Sequence, residues 1–312
     1  MLSKKSFYLV SLLLLSTTVY AQKVKLSYQF NKDDVFALEE EMDQTISQDI
    51  MGQQVVIIQK ITTAYDFKIV NVDDERNYEA SVTYKYVAVD MDQAGQKISY
   101  DSREDSEPDM SSKTFAALVG SSFALIFTPT GEVLSVSGVE DLLQKMVGVY
   151  DNLSDVQREQ VLTTIKQQYG SERIRFAMES LLEIYPDSKK KTKKGAAWEK
   201  KRLTSIGGMM SLNLVIEHTF TKNETETALI TVKNEINTNP EDVMKVNGMD
   251  MKFGLTGTGS GEVKVAKENG RILAKEMSVN ISGKVTLVKG NEAMEGQSWD
   301  MVIETIGKVR EI

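Results

Sequence analysis

Apolar and polar residues alternate along much of the first third of the chain. Phe36, Leu38 and Met42 fall on one set of alternate positions, and acidic or polar residues fill most of the positions between them. A period of two residues is typical of a half-buried β-strand, because successive side chains point to opposite faces of a sheet. The alternation returns over 55–69 and 78–86, with polar clusters between these stretches. The pattern therefore predicts long antiparallel strands joined by short turns.

The period changes in the middle of the chain. Phe123–Val136 carries two strand-like runs around Pro129-Thr130-Gly131, a sequence typical of a hairpin turn. Ser154 and Gln157 then have the spacing of a capping box, in which a hydroxyl and an amide satisfy backbone groups at the start of a helix. This region predicts amphipathic helices that follow directly from a hairpin.

Alternation resumes after a basic stretch and continues to the end of the chain. The order of strands, helices and strands predicts an α+β fold. We expect a long curved antiparallel sheet, shaped like half a barrel, with the central helical segment packed on its concave face. The expected single domain covers 22–312, divided into strands over 22–102, helices and hairpin over 110–186, a basic connector over 186–202 and strands over 203–312.

One late strand carries three glycines on its apolar face. Gly257, Gly259 and Gly261 alternate in phase with Phe253 and Val263. Glycine inside a strand permits sharp bending or the close approach of another group, so the run predicts strong curvature, either over a helix or over a ligand-sized hollow. Both interpretations stay open. In the second, the candidate ligand-binding residues are Phe253, Leu255, Gly257, Gly259, Met277, Ile281 and Trp299.

The first residues predict export. Lys4 and Lys5 precede an apolar run, and Ala21 ends a near A-x-A cleavage site, an order typical of a secretory signal peptide. The apolar run is shorter than a membrane span requires. The chain has no cysteine, which excludes a lipid-modified N-terminal Cys as well as disulfides. We expect removal of residues 1–21 and a mature protein in the periplasm or outside the cell, without a lipid anchor.

No residue pattern indicates a catalytic or cofactor site. His218 is the single histidine, and its apolar neighbours favour a core or rim imidazole over a catalytic one. Without cysteine, the chain lacks the ligands of a typical transition-metal site. Asp90–Asp101 matches a calcium loop only in part, because Ala94 occupies a ligand position, so a turn is favoured. We expect no enzyme activity and no cofactor, and the net charge of −8 argues against nucleic acid as a partner.

Several short stretches together carry a family resemblance: "VYAQ", "MGQQ", "FTPTGEVLSVSGVEDLL", "KKGAAWEKK" and "GTGSGEVKVAKENGRI". With these stretches the chain resembles a family of uncharacterised secreted proteins of Bacteroidota, domain of unknown function six-two-six-three. The resemblance covers nearly the whole mature chain and implies no catalytic residues. The order of elements is also similar to the curved half-barrels of periplasmic lipoprotein carriers, a resemblance of architecture that does not settle function.

Two classes of function remain. The first is a binding module whose apolar concave face holds a lipid, an acyl chain or a lipoprotein segment. The alternative is a structural or interaction protein of the cell envelope, in which the helices fill the sheet and the surface meets another protein.

Overall fold

The computed structural model describes residues 23–93, 95–105, 107–109, 112–150, 153–187, 190–206, 210–246, 248–290 and 295–312. The expected signal peptide, residues 1–21, lies outside these ranges. The described chain forms β1 (Val35–Ile50), β2 (Gln53–Val72), β3 (Tyr78–Gln93), β4 (Gln96–Asp101), α1 (Lys113–Ala116), β5 (Ser122–Phe127), β6 (Val133–Ser137), α2 (Val139–Val147), α3 (Asp155–Tyr169), α4 (Ser171–Leu182), β7 (Ala197–Ile206), β8 (Met210–Asn223), β9 (Thr227–Asn237), β10 (Val243–Val246), β11 (Met249–Ala266), β12 (Ile272–Lys289) and β13 (Ser298–Glu311).

These strands form one antiparallel sheet, which confirms the predicted long antiparallel strands. The strand order is β6-β5-β3-β2-β1-β13-β12-β11-β9-β8-β7, with β4 paired to β3 and β10 paired to β11. β6 and β7 end this order, so the sheet is open. The strands before the helices join those after them where β1 pairs with β13, from Leu38 opposite Glu311 to Gln48 opposite Met301.

The long strands bury alternate residues, and we call the face that carries the buried set the inner face. For example, Leu255 on β11 and Val285 on β12 are fully buried. The adjacent residues Thr256 and Lys284, whose side chains lie on the opposite face, are exposed. The buried apolar side chains of the strands and helices form one continuous hydrophobic cluster. Burial of one face is the physical reason for the period of two in the sequence.

The predicted hairpin is present as β5 and β6, and it leads into α2 through Gly138, whose φ of 78° is left-handed. At the hairpin turn Gly131 has a φ of 92°, and a Cβ there would collide with the backbone of Leu182. Helix α2 buries Leu142, Leu143 and Met146. The capping box at the start of α3 is confirmed: the Ser154 hydroxyl accepts a hydrogen bond from the backbone N–H of Gln157.

The basic segment before β7 is shorter than expected. Strand β7 begins at Ala197, inside the 186–202 stretch expected to be a connector, because this part of the chain pairs with β8. The alternation of apolar and polar residues in β7 is interrupted by Lys200 and Lys201, and the Lys200 side chain points inward. Lys200 is buried, and its ammonium lies 3.4 Å from the Glu183 carboxylate and also pairs with Asp187. The two carboxylates compensate the burial of this charge.

The segment before β1 is part of the core, although it forms no strand of the sheet. The Tyr28 N–H donates to the Pro129 carbonyl at 2.8 Å, and the Tyr28 hydroxyl donates to the Leu182 carbonyl at 2.9 Å. The Gln29 N–H donates to the Asn269 carbonyl at 2.8 Å. Residues 24–30, which we call the N-terminal strap, therefore connect the hairpin turn, the end of α4 and the turn between β11 and β12.

Candidate functional site

A hollow of about 270 Å³ lies between the inner face of the sheet and the end of α4. Its helical side is formed by Ser180, Glu183 and Ile184. Its apolar lining from the sheet includes Met42, Leu214, Ile216, Val232, Met277 and Ile281. Met42 and Met277 are only half-buried, although they stand among buried apolar side chains.

The strand register explains why the space is there. Gly307 on β13 pairs with Met42 on β1 and with Met277 on β12, so a residue without a side chain lies between two long ones. A Cβ added at Gly307 would meet no atom within 4 Å, in contrast to most other glycines inside the strands. Gly307 therefore lies on the floor of the hollow and faces open space.

The three glycines of β11 have a different role. Each of them lies opposite one residue of β12: Gly257 pairs with Ile281, Gly259 with Val279 and Gly261 with Met277. A Cβ at Gly259 would lie 2.9 Å from the Val279 side chain and 3.1 Å from the Ser278 carbonyl oxygen. At the other two glycines it would collide with the β12 backbone. These glycines permit close approach of β12, whose side chains cover them.

The seven candidate ligand-binding residues fall into three groups. Met277 and Ile281 line the hollow, and Gly257 and Gly259 lie beside it, opposite Ile281 and Val279. The other three, which are Phe253, Leu255 and Trp299, lie in the buried core further along the strands. The structure brings together two of the seven at the hollow, and their binding of a ligand stays a prediction.

A group of charged side chains at the hollow was not anticipated. Glu40, Lys275 and Arg202 all line it, each on the inner face of its strand. The sequence held a signal for two of them, because Glu40 lies in phase with Leu38, and Lys275 with Met277. A charged residue on the apolar side of a strand is rare unless it has a partner or a function.

Lys275 and Glu40 influence one another. The Lys275 ammonium donates a hydrogen bond to the Ser180 carbonyl oxygen at 2.6 Å, which ties β12 to the last turn of α4. Burial and, to a smaller extent, the nearby Arg202 lower the pKa of Lys275 to about 8, and Glu40 opposes both shifts. Burial raises the pKa of Glu40, and Lys275 opposes this shift. Each charge therefore has its main counter-charge in the other.

Arg202 is less well compensated. Its Nη2 lies 3.5 Å from the Ser180 hydroxyl, while its Nε and Nη1 are buried with no hydrogen-bond partner among the described residues. Burial lowers the pKa of Arg202, and Glu183 and Glu179 oppose that shift. These two carboxylates already hold other cations, since Glu179 pairs with Arg175 at 2.6 Å and Glu183 lies near Lys200.

His218 forms the other polar part of the lining. It is buried at 2% exposure, and its ring stacks on Trp198 with centroids 5.5 Å apart. The sequence favoured a hydrogen-bonded imidazole at the core or rim; the residue is indeed buried, but its Nδ1 has no hydrogen-bond partner among the described residues. Burial, followed by the charges of Lys275 and Arg202, lowers the pKa of His218 from 6.5 to about 3. The imidazole is therefore neutral at neutral pH.

The lowered pKa of His218 makes stability depend on pH. In the unfolded chain the imidazole takes up a proton below about pH 6.5, whereas in the folded protein it does so only near pH 3. The free energy of unfolding should therefore fall as the pH drops from 6.5 to 3, by up to about 1.4 kcal/mol per pH unit from this residue. Denaturant unfolding of the parent and of His218→Phe across this range should give a smaller slope for the variant. Equal slopes would contradict a buried neutral imidazole.

Two further observations concern metal ligands and helix length. In the described ranges no group of three or more His, Asp or Glu side chains is arranged to hold a metal ion. In the stretch with partial calcium-loop spacing, residues 90–93 lie on β3 and pair with residues 96–99 of β4, whereas Ala94 lies outside the described residues. None of the helices in the described part of the chain has both the length and the apolar character needed to cross a membrane.

Comparison with known proteins identifies the family. The model of the family described as "Family of unknown function (DUF6263)" matches residues 75–272, and the chain belongs to this family. No curated protein matches the sequence.

The solved structures that match this chain are far from it in sequence. They include "Lipid-protein interactions in lipovitellin", with 10% identity, a TM-score of 0.47 and coverage of 91% of this chain and 25% of that chain. They also include Salmonella typhi OmpF in complex with daunomycin, with 8% identity, a TM-score of 0.24 and coverage of 90% and 99%. The chain spans a quarter of the lipovitellin chain. At these identities and scores, neither protein indicates what this chain binds.

Proposed function

We propose that this member of the family is a non-catalytic module that binds an apolar ligand in the hollow on its inner face. The observation that carries the proposal is the position of Gly307, which faces open space between the half-buried side chains of Met42 and Met277. Interiors are normally packed to the density of organic crystals, so a space of about 270 Å³ bordered by apolar side chains is unusual.

The size of the hollow restricts the ligand. Its volume is just below the range of about 300–1,000 Å³ that is typical of small-molecule pockets. A single acyl chain or a similar apolar group is therefore a better match than a whole diacyl lipid. Burial of half-exposed apolar side chains by such a ligand contributes about 25 cal/mol for each Å² removed from water.

In this proposal the helical segment packs on the concave side of the sheet and closes one end of the hollow. Support comes from the hydrogen bond between Lys275 and the Ser180 carbonyl and from the presence of Glu183 and Ile184 in the lining. We further propose that the protein acts in the periplasm or at the cell exterior.

One observation favours the alternative, a structural or interaction protein of the envelope. On the outer face, Val56, Ile58, Val302 and Ile306 are 37–56% exposed, and they lie on β2 and β13, on either side of β1. Exposed apolar side chains on neighbouring strands are compatible with contact with another protein. This surface does not involve the hollow, so the two functions can be tested separately.

Two adjacent substitutions on β12 test the proposal. Met277 lies on the floor of the hollow, and Ser278 is exposed on the opposite face of the same strand. Met277→Glu should weaken binding of an apolar phenyl-naphthylamine fluorescent probe at least about tenfold, because the ligand must then contact a charge that has to stay solvated. Ser278→Glu adds the same charge at the neighbouring position, but on the opposite face of the strand. This variant should bind the probe as the parent does.

The outcomes decide between the two functions. The interaction protein would be favoured by two results together. The parent would fail to bind the probe, and native mass spectra of protein isolated from its own host would show no retained apolar molecule. Equal loss of binding in both variants would show that the probe binds elsewhere on the surface.

A further inference from the structure

The most unusual polar group at the hollow is the guanidinium of Arg202. It lies on β7, the edge strand, and Arg202 pairs in register with Leu214, another residue of the lining. Its Nε and Nη1 are buried without a hydrogen-bond partner among the described residues. A buried charged donor that lacks a partner costs more than a neutral one, because the group has lost its hydration.

The neighbouring acids do not remove this cost. Glu179 accepts a hydrogen bond from Arg175 at 2.6 Å, and Glu183 faces the Lys200 ammonium at 3.4 Å. Glu40 has Lys275 as its main counter-charge. Of the neutral polar side chains in the lining, Gln44 donates a hydrogen bond to Thr305 at 2.9 Å, and the Asn234 Oδ1 is a buried acceptor without a partner, which carries no charge to offset that of Arg202. Among the described side chains that line the hollow, the Arg202 guanidinium has two buried nitrogens, Nε and Nη1, without a hydrogen-bond partner.

Two further groups favour a negative charge at the same place. Lys275 also lines the hollow, and the two cations disfavour each other's charged form, a repulsion that an anion near both would reduce. His218 also lines the hollow, and its unpaired Nδ1 can donate a hydrogen bond in the appropriate tautomer. Arginine is the side chain best suited to carboxylate and phosphate oxygens.

We infer that the ligand is an amphiphile with one apolar chain, whose chain lies against Met277 and whose anionic oxygen headgroup binds the Arg202 guanidinium. This inference rests on the proposed function and adds the chemistry of the ligand to it. Carboxylate and phosphate headgroups share the required oxygens, as in a free fatty acid and a monoalkyl phosphate.

The test compares three ligands with the same alkyl chain, namely dodecanoate, dodecyl phosphate and dodecanol, in displacement of the phenyl-naphthylamine probe. The parent should bind at least one of the two anions about 10- to 100-fold more tightly than the alcohol, because hydrogen bonds to a charged group are stronger than those to a neutral one. The tighter of the two anions identifies the headgroup. This comparison requires no variant and so does not depend on the folding of one.

Arg202→Gln then assigns the preference to the residue. The variant should lose the preference for the anion and keep the affinity for dodecanol, whereas Lys201→Gln, the exposed neighbour on β7, should behave as the parent does. Arg202→Lys keeps the charge without the guanidinium and should retain only part of the preference. Thermal unfolding of each variant identifies any that are misfolded.

Three results would overturn the inference. One is equal affinity of the parent for the anions and the alcohol, and another is a preference that survives in Arg202→Gln. In both cases the hollow would still bind apolar ligands and the proposed function would stand. The third is failure of the parent to bind the probe at all, in which case the proposed function itself would fail.

Discussion

Leucine in place of Gly307 is expected to abolish binding of an apolar ligand without loss of stability. The new side chain would project into open space between Met42 and Met277, where a Cβ meets no atom within 4 Å. Glycine inside a strand is unfavourable by roughly 0.5–1 kcal/mol relative to alanine, so its removal should keep or increase the free energy of unfolding. Probe fluorescence and urea denaturation measure the two effects.

Gly254→Leu is the matched control. Gly254 lies on the exposed side of β11, and a Cβ there has an ordinary contact of 3.7 Å with the Lys284 carbonyl oxygen. The control should bind the probe normally. Retained binding in a stable Gly307→Leu variant would refute the hollow as the ligand site. A bulky residue at Gly259 could not serve this purpose, because its Cβ already lies 2.9 Å from the Val279 side chain and destabilisation would confuse the result.

The second large effect is expected at the N-terminal strap. Phe30 is 1% exposed, and its ring stacks on Phe36 at 5.0 Å and on Tyr28 at 5.4 Å between centroids. Phe30→Ala should lower the free energy of unfolding by about 3–5 kcal/mol, since it removes a buried aromatic side chain and leaves a cavity. Guanidinium denaturation with a shared m-value measures the difference.

Phe176→Ala is the comparison for Phe30. Phe176 is half-buried on α4 and has the Arg175 guanidinium 4.7 Å from its ring centre, so its loss should cost much less. Similar small costs in both variants would mean that the strap is attached to the domain without being part of its core.

Much of the local structure follows from short-range patterns. Period-two alternation identified the long strands, Pro129-Thr130-Gly131 identified the hairpin turn, and Ser154 with Gln157 identified the start of α3. These signals are reliable because each depends on the nearest few residues, either on one buried face or on backbone groups that a neighbouring side chain satisfies. The strand β7 was missed because Lys200 and Lys201 interrupt its apolar pattern, and the charge of Lys200 is compensated by acids from a different segment.

The candidate site depended on partners that are distant in the sequence. Gly307 and Gly259 look alike in their strands, yet one faces open space and the other lies under Val279, and only the pairing of β1, β13 and β12 separates them. The sequence by itself determined which residues share a face of each strand, and hence an antiparallel sheet. The tertiary structure decided which strands are neighbours, where a space remains, and that two guanidinium nitrogens of Arg202 are buried beside it, because alternation specifies a face but not its partner.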